Sequence, residues 1–107
     1  MNHVNVYESP DSNTVVARVQ YNQFLDKQGY NMPHYCHNDK EGFHAGITKL
    51  KRTISNNSFV FISGSDYRNP RKAWLIDDQE ALSEVLKSEN NDLLIKYFPN
   101  YKQDQEI

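Results

Sequence analysis

Residues 73–86 read Ala73-Trp74-Leu75-Ile76-Asp77-Asp78-Gln79-Glu80-Ala81-Leu82-Ser83-Glu84-Val85-Leu86, and the hydrophobic period changes in the middle of the stretch. Ala73 to Ile76 is a continuous apolar run that reads as a short buried strand. Asp77, followed three residues later by Glu80, matches a capping box with Asp as the N-cap. Beyond it Ala81, Leu82, Val85 and Leu86 recur at helical spacing, which predicts a helix over 78–88. A strand that hands over to a capped helix places both element types in one small domain, as the α+β class requires.

Downstream, Asn90 or Asn91 can cap a second, shorter helix whose apolar side is Leu93, Leu94, Tyr97 and Phe98, with Pro99 as its stop. The polar tail, residues 102–107, is expected to fray. Upstream, Phe59-Val60-Phe61-Ile62 is apolar on both faces, as a central strand under a helix would be, with a turn at Ser55 to Ser58 before it and a loop over 64–71 after it. Gly46 to Thr53 breaks strict alternation and carries Lys49, Lys51 and Arg52, which fits an edge strand or a bulge. Val4 and Val6, then Val15, Ala17, Val19 and Tyr21, alternate with a period of two on either side of the turn-forming Ser9 to Asn13 and predict a hairpin. No helix separates these early strands. The expectation is therefore one α+β domain over residues 1–107: a four- to five-stranded, mainly antiparallel sheet packed on one face by one or two C-terminal helices, with a long loop over about 22–45.

Composition narrows the function classes. Net charge is -2, from 12 basic and 14 acidic residues, so any electrostatic role must come from local patches. A single cysteine, Cys36, cannot form an intrachain disulfide, and the first ten residues lack the apolar stretch of a signal peptide. No segment approaches the roughly 20 apolar residues of a membrane span. The expected setting is the cytoplasm, with no membrane partner and no cofactor.

The loop holds three of the four histidines and the cysteine: His34, Cys36, His37 and His44. These are zinc-ligand types, but three of them crowd into four residues, whereas structural sites pair ligands from separate turns. Cys36 with His37 or His44, oriented by Asp39 or Asp66, is also a thiol-nucleophile arrangement, without a surrounding signature of that chemistry. Ordinary polar loop residues are the bland alternative to both. The four glycines are isolated and form no phosphate-cradling loop or dinucleotide fingerprint. Lys49, Lys51 and Arg52, with Arg68, Arg71 and Lys72, make a basic and aromatic grouping beside Tyr67 and Trp74. That grouping could serve nucleic acid if the two strands are neighbours.

Gly42 and His44 to Leu50, the apolar strand from Phe59 to Gly64, Glu80-Ala81-Leu82 and Leu86-Lys87-Ser88 ahead of Leu93-Leu94 together resemble small uncharacterised proteins of Gram-positive bacteria, their phages and mobile elements. The resemblance covers residues 18–101. The chain departs from it in the loop, where Tyr30 to His37 replaces glycine- and tryptophan-containing segments. The resemblance implies a non-enzymatic accessory factor that binds a host or defence-system protein, as anti-CRISPR proteins do. Tyr30, Met32, His34, Tyr35 and Phe43 would be its contact groups, large side chains of the kind interfaces favour. The alternative is a nucleic-acid-binding module using the basic patch, and behind it stands the Cys/His site.

Overall fold

The computed structural model describes residues 3–26, 28–31, 45–63 and 72–101. In chain order the elements are β1 (His3–Tyr7), β2 (Val15–Gln20), a 3-10 turn (Tyr21–Gln23), β3 (Gly46–Ile54), β4 (Asn57–Ser63), β5 (Lys72–Ile76), α1 (Asp78–Ser88) and α2 (Asn91–Tyr97). The five strands form one sheet in the order β2-β1-β5-β4-β3. Every neighbouring pair is antiparallel except β1 with β5, where Val6 and Tyr7 run parallel to Ala73 and Trp74. The expected α+β class, strand number and C-terminal helices are all present.

Two residues make the β3–β4 turn. Ser55 and Asn56 both take positive φ, 51° and 65°, which matches the twist of a two-residue hairpin and suits Asn. The predicted four-residue turn is thus shorter, and β4 starts at Asn57. Phe59, Val60 and Ile62 are buried, so β4 is covered on both faces as its sequence implies. The hairpin at the N-terminus forms, with one correction to its phase. Val6 pairs with Ala17 but Tyr7 pairs with Val15, which leaves Val16 as an extra residue. This bulge turns Val15 outward, 45 % exposed, while Val16 packs against the core, so strict alternation holds only beyond the bulge.

On one face the sheet presents Ile47, Phe59 and Ile76 to Ala81 and Val85 of α1 and to Leu93, Leu94 and Tyr97 of α2. Phe59 sits at the centre of this contact, edge-on to Tyr97 at 5.6 Å and stacked on Phe98 at 5.3 Å. The Asp77–Glu80 capping box is formed: Glu80 N–H donates to Asp77 Oδ1 at 2.8 Å and Asp77 N–H to Glu80 Oε1 at 3.2 Å. Asn90, rather than Asn91, caps α2, its side chain accepting from the backbone of Asp92 and Leu93.

The other face buries Val6, Val19, Val60, Ile62, Ala73 and Leu75 around Tyr21 and Phe24. Its shape follows from chain length. Leu25 pairs in both directions with Ile47 on the outer edge of β3, at 2.9 and 3.0 Å, only five residues after β2 ends at Gln20 on the opposite edge. Five residues reach at most about 17 Å, whereas crossing five strand spacings of a flat sheet takes about 24 Å. The sheet must therefore curl, with Tyr21 and Phe24 filling its concave side and the helices covering its convex side. What sequence alone presents as the start of a long loop is a short strap across that concavity, Tyr21 to Leu25.

Candidate functional site

The curl brings together two strands that lie at opposite ends of the sheet order. A cleft of about 980 Å³ opens between the end of β2 with the 3-10 turn on one side and Thr48 to Ile54 of β3 on the other, and α2 contributes Lys96 and Tyr97. Val19, Leu50 and Ile54 supply its apolar lining. Its charge is one-sided. Arg18, Lys49, Lys51, Arg52 and Lys96 all line it, His3 stands beside them, and among the described lining residues there is no aspartate or glutamate.

The backbone of β3 explains how so many cations share one wall. Lys49 pairs with Phe59 and the next paired residue is Ile54 with Asn57, so Leu50 to Thr53 lie opposite Ser58 alone. An excess of residues on one strand lifts it off the ladder and re-aims its side chains. Lys51 and Arg52, neighbours in sequence that a regular strand would send to opposite faces, accordingly both line the cleft. Both are exposed, and among the described residues the Lys49 ammonium lies 5.7 Å from the centre of the Phe59 ring. These groups retain their capacity to meet an anion.

A second feature is a group of side-chain amides on the β2 side, beside Arg18. Gln20, Asn22, Gln23 and Asn31 line the cleft from the β2 end, the 3-10 turn and the segment after it. Asn31 is fixed there by donating from Nδ2 to the Asn22 carbonyl at 2.7 Å. Where the cleft reaches α2, the buried Tyr97 hydroxyl donates to the Ile47 carbonyl at 3.5 Å. Burial pushes this hydroxyl above the ordinary tyrosine value of 10.0, and a hydrogen bond with Thr48 works in the opposite direction.

Of the expected nucleic-acid set, Lys49, Lys51 and Arg52 come together and Lys72 does not join them. β4 separates β3 from β5, and the Lys72 ammonium is spent on the first turn, donating to the carbonyls of Pro10 and Ser12 at 2.8 and 2.9 Å and lying 4.5 Å from the centre of the Tyr7 ring. Arg68 and Arg71 lie outside the described residues. Trp74, half-buried, packs edge-on against Phe61 at 5.5 Å beside the helix-side core and is not among the residues that line the cleft. Arg18 and Lys96 were not legible as site residues, because only the curl of the sheet and the docking of α2 bring them to β3.

Tyr30 is the described member of the expected protein-contact set; Met32, His34, Tyr35 and Phe43 lie outside the described residues, as do His34, Cys36, His37 and His44 of the metal or thiol reading. Tyr30 is 69 % exposed and ends a turn built on Asp26, whose Oδ1 accepts from the N–H groups of Gln28 and Tyr30 at 2.9 and 3.0 Å. Among the described residues no group of three or more His, Cys, Asp or Glu is placed to hold a metal ion, and no helix is long and apolar enough to cross a membrane.

Comparison with protein families, with curated proteins and with solved structures finds no match to this chain. What the fold and its surface define is an α+β domain with a cationic cleft between the end of β2 and β3, bordered by α2.

Proposed function

We propose that the chain is a non-enzymatic binding module that takes the backbone of a nucleic acid in this cleft. The observation that carries the reading is charge segregation. Five of the 12 basic residues line one cleft without a described carboxylate, although the whole chain has net charge -2. Such separation has an electrostatic cost in the free protein and is offset when a polyanion binds and releases its counterions. The acidic residues gather elsewhere, as at Asp78, Glu80 and Glu84 of α1 on the convex side, so approach is also oriented. The test is fluorescence anisotropy with a labelled 20-nucleotide oligonucleotide at several salt concentrations. Reversal of charge in Lys51→Glu/Arg52→Glu should weaken binding at least tenfold. Lys87→Glu, the same kind of change on exposed α1, should alter it less than twofold. Equal effects of the two changes, or no binding at low salt, would remove the proposal.

A second reading is favoured by Tyr30, a large side chain held outward by an ordered turn. In it the chain is a protein-binding accessory factor of a phage or mobile element, directed at a host or defence-system protein in the manner of an anti-CRISPR. Capture of one nuclease-resistant protein partner that is lost with Tyr30→Ala and retained with Lys51→Glu would support it over the first.

A further inference from the structure

The β2 side of the cleft adds primary amides to a cation, and from that combination with the β3 cations we infer that its ligand is single-stranded nucleic acid, with phosphates on the cations and base edges on the amides. The inference rests on the cleft being a nucleic-acid site at all. The β3 wall offers Lys49, Lys51 and Arg52, which neutralise phosphates irrespective of sequence. The β2 end and the 3-10 turn offer Arg18 and primary amides at Gln20, Asn22 and Gln23, each amide with a carbonyl acceptor and an NH₂ donor group. Side-chain amides are suited to base edges, and a strand whose bases are unpaired can present those edges.

Shape argues against a duplex. The cations line a cleft between the end of β2 and β3, whereas a duplex is read by an element that projects into its groove, such as a helix or a two-stranded ribbon. A cleft of about 980 Å³ is at the upper end of small-ligand sites and admits a few nucleotides of an extended strand. Among its described lining residues Tyr97 is buried, which leaves the small ring of His3 as the exposed aromatic. Affinity therefore comes chiefly from phosphates and amides, and it is strongly salt-dependent.

Anisotropy titration of the purified chain against three probes tests this: a 20-nucleotide single strand of mixed sequence, the same sequence as a duplex, and inorganic polyphosphate of similar charge. The single strand is expected to bind at least tenfold tighter than either. Asn22→Ala/Gln23→Ala should lower its affinity severalfold while leaving the slope of log affinity against log salt unchanged, whereas Lys51→Glu/Arg52→Glu should flatten that slope. Gln20→Ala, on the strand itself, repeats the amide test if the changes in the 3-10 turn impair folding. Duplex binding as tight as single-strand binding would overturn this inference and leave the cleft as a nucleic-acid site. Polyphosphate binding as tight as that of the single strand would overturn the role of the bases. Absence of binding to all three would overturn the cleft reading itself.

Discussion

Truncating Phe59 to alanine isolates the contact that docks both helices on the sheet. The side chain is 2 % exposed, with the Tyr97 ring 5.6 Å away edge-on and the Phe98 ring stacked at 5.3 Å. Removing a buried phenylalanine from a filled core costs about 3–5 kcal/mol in lost transfer energy and residual cavity. Each well-placed aromatic pair adds about 0.5–1.5 kcal/mol beyond area burial, which places this site toward the upper end. Small domains have about 5–15 kcal/mol in total, so Phe59→Ala takes a large share. Urea unfolding followed by far-UV circular dichroism should move the midpoint down by at least about 1 M, with a slope of about 1–3 kcal/mol per molar. Ile95→Ala on the exposed side of α2, where Ile95 is 64 % exposed, serves as the control and should stay within about 0.5 kcal/mol. If Phe59→Leu is used to keep the protein folded, the cost should fall but remain clearly above that control. A loss for Phe59→Ala no larger than for Ile95→Ala would refute the packing of α1 and α2 on this face.

Asp77→Ala should cost about 1 kcal/mol in the same assay, because it strips the acceptor of the Glu80 N–H and opens the capping box. Tyr97 should leave a signature at high pH. Its hydroxyl titrates higher when folded than when unfolded, so the folded state holds the proton more tightly there. The corresponding stability is fully present below about pH 10 and is lost as pH rises through the raised folded value. Tyr97→Phe should remove that part of the decline above about pH 10 in parallel thermal melts. In the binding assay, neutralising all five cleft cations corresponds to a salt slope of up to about -3.5 for a single strand, and Lys51→Ala alone should reduce its magnitude by about 0.7.

Much of the fold was legible because local signals and tertiary structure agree. The capping box at Asp77, the helical spacing of Ala81 and Val85, the two-sided burial of β4 and the lysine-bearing edge of β3 each appear where the residues imply. What could not be read is strand order. Nothing in the sequence of β5 says that it pairs with β1 in parallel and with β4 on its other side, and this order separates Lys72 from the β3 cations. The bulges at Val16 and at Leu50 to Thr53 were equally hidden, since each depends on the residues across the ladder.

The candidate site is a consequence of that unread geometry. Lys49, Lys51 and Arg52 announce a basic strand, which by itself is also how an edge is protected against pairing with another chain. What brings β3 near a second element is the short Tyr21 to Leu25 strap. By forcing the sheet to curl, five residues set the end of β2 against β3, so that Arg18 and the amides of Asn22 and Gln23 line the same cleft as the β3 cations and Lys96. The strap therefore links the fold to the proposed chemistry: the residues that fill the concave core also shape the cleft beside it.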